Sequence, residues 1–243
     1  MNKETLLTEK EFYKIPESRN DVHYHFMRKL VNFKNPVILE LGVNKGSSTA
    51  KFLEYVNNNG GELYSIDIVD CSKIIKTERF KGIPAEKWHF LKSNDLDLDY
   101  ILHNFPKLKD GIDLIYIDSY HDFTHVNNIL KSWYVYMNKF SYLFFDDTES
   151  GLYKTKKDFF HSINNDSLDK LVKDFHSRNY DQVVLTKYFS GSGLSELFKI
   201  SELGSKANFT SKLYEYNYFI GRIYLFLKKI MYHLKKKDKK KNL

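Results

Sequence analysis

Between residues 36 and 201, short apolar segments of strand length alternate with segments of helical periodicity. The predicted strands cover residues 37–42, 62–67, 88–93, 112–118 and 141–147, and the predicted helices cover 47–56, 97–105, 125–137 and 151–177. A serine is predicted to cap the first of these helices. Strands that alternate with helices form a parallel sheet with helices on both faces, because right-handed crossovers return the chain to the same end of the sheet.

The segments DQVVLTKYF and SELFKIS flank the turn sequence SGSG at residues 190–193, which predicts an antiparallel pair at the end of the sheet. The predicted fold class is therefore α/β: a Rossmann-like, doubly wound, mostly parallel seven-stranded sheet with an antiparallel closing strand pair. Residues 1–35 are interpreted as an N-terminal helical segment, 36–205 as the domain that carries the sheet, and 206–243 as a C-terminal amphipathic helix with a basic tail.

The net charge of +7 resides in one segment, because residues 228–243 contain eight lysines and one aspartate. The rest of the chain is neutral overall, so the charge gives no support for a nucleic-acid partner, and none is predicted. Apolar residues from Phe219 to Leu234 recur at helical spacing before the lysines. Two interpretations stay open: an interfacial helix drawn to anionic lipid, or a helix that docks on its own domain.

The cellular location follows from two observations. The sequence MNKETLLTEKEF has no apolar signal-peptide core, and the single cysteine, Cys71, excludes an internal disulfide framework. A cytoplasmic protein is predicted, with peripheral contact at the inner face of a membrane left open.

Acidic residues stand at the ends of several predicted strands: Asp67 after the second, Asp118 after the fourth, and the pair Asp146 and Asp147 after the fifth. His121 follows Asp118 by three residues. The carboxyl ends of parallel strands meet at one edge of the sheet, where ligands of such folds bind. We therefore expect these side chains to share one crevice. His125, on the helix that follows, is interpreted as a surface or capping group.

A glycine loop follows the first strand in the sequence ELGVNKGSST, with Gly42 and Gly46 spaced as Gly-x-x-x-Gly. This is neither the dinucleotide-binding fingerprint nor a phosphate-binding P-loop. Glycines at such a position let the backbone turn tightly and approach a ligand. Asp67 ends the second strand, where a carboxylate can accept from both hydroxyls of a ribose.

The motifs LELGVNKGSSTAKF, YSID, IDSYHDF and FFDDT together resemble the class I S-adenosylmethionine-dependent methyltransferases. More narrowly, they resemble the macrocin and mycinamicin type of metal-dependent sugar O-methyltransferases. The resemblance implies S-adenosyl-L-methionine as cofactor. The cofactor-binding residues it implies are Glu40, Gly42, Gly46, Ser48, Asp67, Ser93, Asn94, Asp95 and Asp118.

The same resemblance implies a site for Mg²⁺ or another divalent cation on Asp118, Asp146 and Asp147, with His121 as the catalytic base. Carboxylates suit such a hard cation, which would lower the pKa of a coordinated hydroxyl. The chain departs from the family before the fifth strand, where MNKFSYLFF replaces the usual Gly-Gly.

The expected function is methylation of a sugar hydroxyl on a glycan or glycosylated metabolite, with polysaccharide biosynthesis as the setting. Two other classes remain: a metal-dependent hydrolase that uses the same acids, and a non-catalytic, membrane-recruited binding module with this fold. The identity of the acceptor and the oligomeric state, including a homo-oligomer, stay open.

Overall fold

A computed structural model describes residues 20–149, 159–189 and 191–209, together with the isolated residues 223, 226 and 227. The strands are β1 Val37–Leu41, β2 Glu62–Asp67, β3 Trp88–Lys92, β4 Ile112–Ile117, β5 Met137–Asp146, β6 Val183–Tyr188 and β7 Leu194–Lys199. The α-helices are α1 Asn20–Leu30, α2 Ser47–Asn59, α3 Leu98–Asn104, α4 Phe123–Trp133 and α5 Phe159–Arg178.

The seven strands form one sheet in the order β3-β2-β1-β4-β5-β7-β6. Neighbours from β3 to β5 pair in parallel, whereas β7 pairs antiparallel with both β5 and β6. The predicted fold class is confirmed. The strand order changes direction between β1 and β4, and such a switch point opens a crevice at the carboxyl ends of the strands.

Both faces of the sheet are covered by helices because the central strands are apolar on both sides. On β4, Leu114 and Tyr116 face one hydrophobic cluster while Ile115 and Ile117 face the other, and all four are buried. Helices α1 and α2 contribute to the first cluster, which includes Phe26, and α3, α4 and α5 contribute to the second. This packing holds the strand ends in fixed register beneath the crevice.

Several element boundaries differ from the prediction. The predicted serine cap of α2 is wrong: Gly46 occupies the N-cap position, and no side chain caps this end. Helix α4 begins two residues earlier than predicted, because the Asp122 carboxylate accepts from the backbone N–H groups of Thr124 and His125. Strand β5 begins at Met137, four residues earlier than predicted, and passes through Phe140 at φ +64°.

Parts of the predicted domain organisation lie outside the described residues. Of the N-terminal segment only α1 and the residues after it are described. Of the C-terminal segment only residues 206–209 and the helical residues Ile223, Phe226 and Leu227 are described, and the side chains of these three are exposed. The first part of the predicted helix 151–177 also lies outside. A helix with the length and apolar character needed to cross a bilayer is absent from the described ranges.

Candidate active site

A pocket of about 610 Å³ opens at the carboxyl ends of β1 to β4. Six of the predicted cofactor residues line it: Gly42, Asp67, Ser93, Asn94, Asp95 and Asp118. The remaining three predicted residues, Glu40, Gly46 and Ser48, do not line it. Of the side chains that were expected to share one crevice, Asp67 and Asp118 line this pocket, whereas His121, Asp146 and Asp147 do not.

A glycine is required at position 42 because the backbone there lies against the backbone of Asp118 and leaves no room for a side chain. It has φ +96°, and a Cβ built on it would lie 2.3 Å from the carbonyl oxygen of Asp118. Its N–H donates to the carbonyl of Ile66 at 2.9 Å, and the N–H of Asp118 donates to the carbonyl of Leu41 at 2.8 Å. The loop after β1 thus rests directly on the chain after β4.

Gly46 has a packing role. At φ +75°, it would place a Cβ 2.7 Å from Ile74 Cδ1 and 2.8 Å from Phe80 Cζ. These two side chains belong to 3₁₀ turns between β2 and β3. Gly46 therefore lets this segment close over the start of α2.

Glu40 lies fully buried beneath the glycine loop. Its carboxylate accepts from the hydroxyls of Ser48 at 2.5 Å, Ser65 at 2.6 Å and Thr49 at 2.9 Å. Burial raises the pKa of Glu40 to about 7; the three hydroxyls oppose this shift and the charge of Asp118 adds to it. The bonds from Ser48 and Thr49 join β1 to the first turn of α2, and the bond from Ser65 joins β1 to β2.

Asp67 fixes the glycine loop through backbone hydrogen bonds. Its Oδ2 accepts from the N–H groups of Val43 at 2.9 Å and Asn44 at 3.0 Å, and its Oδ1 accepts from Val69 N–H at 2.8 Å. A carboxylate has further lone pairs that face the pocket. Asp67 therefore combines a loop-fixing role with the position predicted for ribose binding.

The turn after β3 is fixed by its own side chains and by α4. The Asn94 side chain accepts from Leu96 N–H at 3.0 Å, and the Trp133 indole donates to the carbonyl oxygen of Asp95 at 3.1 Å. The carboxylate of Asp95 is nearly buried and lines the pocket.

His125 is a pocket residue that sequence reasoning missed. It is half-buried, and its Nε2 lies 3.1 Å from the Asp95 carboxylate, so the surface interpretation was wrong. Recognition of Asp122 as an N-cap would have started the helix at Phe123. His125 would then have fallen in the first turn, beside the strand tips.

The predicted acids after β4 and β5 meet around Tyr116. The Tyr116 hydroxyl lies 3.0 Å from Asp146 Oδ2 and 3.4 Å from Asp118 Oδ2. Asp146 is fully buried, and its Oδ1 accepts from the backbone N–H of Asp147 at 2.8 Å. Asp147 adopts φ +55°, a left-handed conformation that aspartate tolerates better than most residues.

His121 lies between two of these acids. Its Nε2 is 3.4 Å from Asp118 Oδ1, and its Nδ1 is 3.5 Å from Asp147 Oδ2. Burial acts to lower the pKa of the imidazole, but the hydrogen bond with Asp118 and the charges of Asp147, Asp118 and Asp146 together raise it above its ordinary value. His121 is therefore held by carboxylates on both sides.

The turn between β6 and β7 contacts the chain that follows the acid pair. The N–H of Thr148 donates to the carbonyl of Gly193 at 3.3 Å, and the N–H of Glu149 donates to the carbonyl of Ser192 at 2.8 Å. Beside them, the Ser195 hydroxyl donates to the Thr148 hydroxyl at 2.9 Å. The closing hairpin thus holds the exit from β5.

The predicted metal ligands suit a divalent cation in their chemistry but not in their arrangement. Three carboxylates match the preference of Mg²⁺ for oxygen ligands. However, within the part of the chain that the structure describes, no group of three or more His, Cys, Asp or Glu side chains is arranged to hold an ion. His121 separates Asp118 from Asp147, so the predicted ligands do not form a closed set as placed.

Comparisons with known proteins agree with this fold. Residues 39–148 match a family model described as a methyltransferase domain. An uncharacterized protein of Acanthamoeba polyphaga mimivirus is 26% identical over 166 residues, which cover 65% of this chain and 71% of the viral protein.

Two solved structures share the fold at low identity. The methyltransferase PaMTH1 of Podospora anserina, bound to S-adenosylhomocysteine, superposes with a TM-score of 0.58 at 16% identity over 76% of this chain and 80% of its own. MycE, a methyltransferase from the mycinamycin biosynthetic pathway in complex with Mg and S-adenosylhomocysteine, superposes with a TM-score of 0.51 at 13% identity over 77% of this chain and 51% of its own. The chain therefore has the fold of the S-adenosylmethionine-dependent methyltransferases and contains a match to a methyltransferase domain.

Proposed function

We propose that this chain is an S-adenosylmethionine-dependent O-methyltransferase that acts on a sugar hydroxyl with the help of a divalent cation. The observation that carries the proposal is the position of Asp118 between the pocket and the acid cluster. Asp118 lines the pocket together with Asp67 and Asp95, and its carboxylate lies 3.4 Å from His121. A methyl donor bound in the pocket would thus lie beside side chains that could bind and deprotonate an acceptor hydroxyl.

The pocket half of the crevice supports the cofactor assignment. Asp67 lines the pocket, and backbone N–H groups fix its carboxylate, which has acceptor capacity to which the hydroxyls of a ribose would donate. The match of residues 39–148 to a methyltransferase domain and the S-adenosylhomocysteine bound to PaMTH1 and MycE point to the same cofactor class.

The acid half of the crevice supports transfer to oxygen. In the reaction, the bond from the methyl carbon to the sulfonium sulfur breaks as a bond to the acceptor oxygen forms, and S-adenosylhomocysteine leaves as a neutral thioether. The hydroxyl proton must go to a base. A neutral imidazole nitrogen of His121 would take it, and the carboxylates of Asp118 and Asp147 would stabilise the imidazolium that results.

Asp118, Asp146 and Asp147 would hold the cation, which would lower the pKa of the acceptor hydroxyl. The support for this ion is the chemistry of the three carboxylates and the Mg present with MycE. Because His121 lies between Asp118 and Asp147, these residues must rearrange before they could act as one ligand set.

The first experiment is calorimetric titration of the purified chain with S-adenosylhomocysteine, in the presence of MgCl₂ and then of EDTA. Micromolar binding is expected, with little dependence on the metal. Absence of binding in both conditions would overturn the cofactor assignment and leave a metal-dependent hydrolase as the next candidate.

Turnover is then tested with S-adenosylmethionine labelled in its methyl group and a panel of simple glycosides with adjacent hydroxyls. The proposal predicts base-stable incorporation of label that EDTA abolishes and Mg²⁺ restores. Asp147→Asn is the matched variant, because it removes one negative charge from the acid cluster and leaves every residue that lines the pocket unchanged. Turnover that EDTA leaves unchanged would overturn the role of the metal.

A further inference from the structure

We infer that His125 is a positioning residue that fixes the Asp95 carboxylate to accept a hydrogen bond from the amino group of the cofactor's purine. The inference rests on the proposed function, since it concerns how the same pocket distinguishes one base from another.

The Asp95 carboxylate is held by His125 at short range. The His125 Nε2 lies 3.1 Å from Oδ1 and 3.1 Å from Oδ2, so the imidazole addresses both oxygens at once. The side chains are 17% exposed for His125 and 7% exposed for Asp95. Because both side chains are largely shielded from water, this contact is stronger than a surface ion pair. It also restricts rotation of the Asp95 carboxylate.

The surroundings fix both partners. Trp133 donates to the backbone carbonyl of Asp95 at 3.1 Å, and the carboxylate of Asp122 anchors the backbone N–H of His125 at 3.2 Å. Both anchors belong to α4 or its N-cap. The helix therefore sets the orientation of a carboxylate that belongs to the turn after β3.

A carboxylate accepts up to about four hydrogen bonds, whereas His125 Nε2 supplies a single N–H. The remaining acceptor capacity of Asp95 faces the pocket that it lines. A buried acceptor without a donor is costly, so this position selects a ligand that brings an N–H group. A carbonyl oxygen at the same place would meet a carboxylate oxygen and be repelled.

The neighbouring wall suits a flat, weakly polar ring. Ile68 and Val69 line the same pocket, and the backbone hydrogen bond from Ser93 N–H to the Asp67 carbonyl at 3.0 Å places them beside the turn of Asp95. An apolar wall with a carboxylate acceptor beside it fits a purine with an exocyclic amine, and it disfavours a purine that has an oxo group instead.

The test compares binding of S-adenosylhomocysteine with S-inosylhomocysteine, which replaces the exocyclic amine by oxygen. The wild-type chain is expected to prefer the adenosyl ligand by roughly tenfold or more, as for loss of a hydrogen bond to a charged group. In His125→Phe this preference should fall by about tenfold, since the carboxylate loses its fixed orientation. His125→Gln, which keeps an N–H donor, should restore most of the preference.

The ratio of affinities is the informative readout, because a steric effect of the new ring acts on both ligands. In the background of Asp95→Asn, His125→Phe should change the ratio no further, since the two residues act as a unit. His89→Phe is the matched control: its Nε2 lies 3.7 Å from Glu62 on the edge of the sheet, in a histidine–carboxylate pair outside the pocket.

The outcomes separate the two proposals. Absence of S-adenosylhomocysteine binding by the wild-type chain overturns the proposed function. Normal binding with an adenosyl preference that His125→Phe leaves unchanged overturns the role of His125 alone. If His125→Phe fails to fold, the same judgement is made from His125→Ala, which also removes the N–H donor but adds no bulk.

Discussion

The two halves of the crevice hold carboxylates in different ways. On the loop side, formed by residues 42–44, Asp67 and residues 93–95, the Asp67 oxygens accept N–H groups of the backbone. On the acid side, formed by Asp118, His121, Asp146 and Asp147, described contacts run through Tyr116, His121 and one backbone N–H. The loop side is therefore set by the fold itself, while the acid side collects like charges that favour a cation or a proton.

The largest expected effect comes from His121 on the acid side. His121→Gln should lower kcat by roughly 10² to 10⁴, the usual contribution of a general base. The affinity for S-adenosylhomocysteine should stay within a few-fold, because His121 does not line the pocket. Single-turnover kinetics and calorimetry measure the two quantities. Loss of S-adenosylhomocysteine binding in His121→Gln would mean that the two halves are not functionally separate, and an unchanged kcat would remove His121 as the base.

A substitution at Gly42 tests the contact between the two halves, because Gly42 on the loop side lies against the backbone of Asp118 on the acid side. Gly42→Ala should lower the free energy of unfolding by about 3 kcal/mol, since it combines a strained φ with a clash against the Asp118 backbone. Gly82→Ala is the control, because Gly82 has φ +80° but nothing within 4 Å of the added Cβ. Urea denaturation of both variants separates strain from clash. Equal losses would show that the contact with Asp118 is unimportant.

Glu40 lies beneath the loop side and gives it a pH dependence. Its pKa is raised to about 7, so the folded chain holds this proton more tightly than the unfolded chain. The associated stability is fully present below the ordinary pKa of a glutamate and is lost as the pH rises to about 7. The loss amounts to about 3 kcal/mol at most.

The check is urea denaturation of Glu40→Gln and wild type from pH 4 to 8. The stability of the wild type relative to Glu40→Gln should fall with rising pH across this window. A flat difference for Glu40→Gln would contradict the burial of an ionisable carboxyl at this position.

The smallest effect is expected at Phe140, which belongs to neither half. Its left-handed backbone costs a non-glycine residue about 1 kcal/mol, whereas its half-exposed ring makes a stacked contact with Phe198 at 6.0 Å. Phe140→Gly should raise the midpoint of thermal unfolding by a few degrees without changing turnover or binding. Phe140→Ala, which keeps the strain and loses the ring, should lower it. A drop in both variants would show that stacking outweighs strain.

The sequence predicts the fold well because the spacing of apolar residues and the identity of turn residues determine secondary structure over short stretches of chain. The strand and helix order, the antiparallel closing pair and the positions of Asp67, Asp118 and Asp146 at strand ends all follow from such patterns. Their meeting at one edge needs only the parallel arrangement of strands.

What the sequence could not supply depends on contacts between distant segments. The sequence motif indicates that Gly42 lets a ligand approach. In the structure, the backbone of Asp118 occupies the space that a Cβ at this position would need. Glu40 reaches hydroxyls from two other elements, and the role of His125 depends on a residue thirty positions earlier in the chain. Such pairings become visible only when the sheet and helices are assembled.

The hairpin turn between β6 and β7 has a consequence for how such a site can change over time. Because the carbonyls of Ser192 and Gly193 accept the backbone N–H groups that follow Asp147, this turn helps to fix the position of the acids. A substitution or insertion in that turn can shift the acids relative to the pocket without altering any reactive side chain. The hairpin therefore offers evolution, or an engineer, a means to adjust acceptor geometry while the cofactor side stays intact.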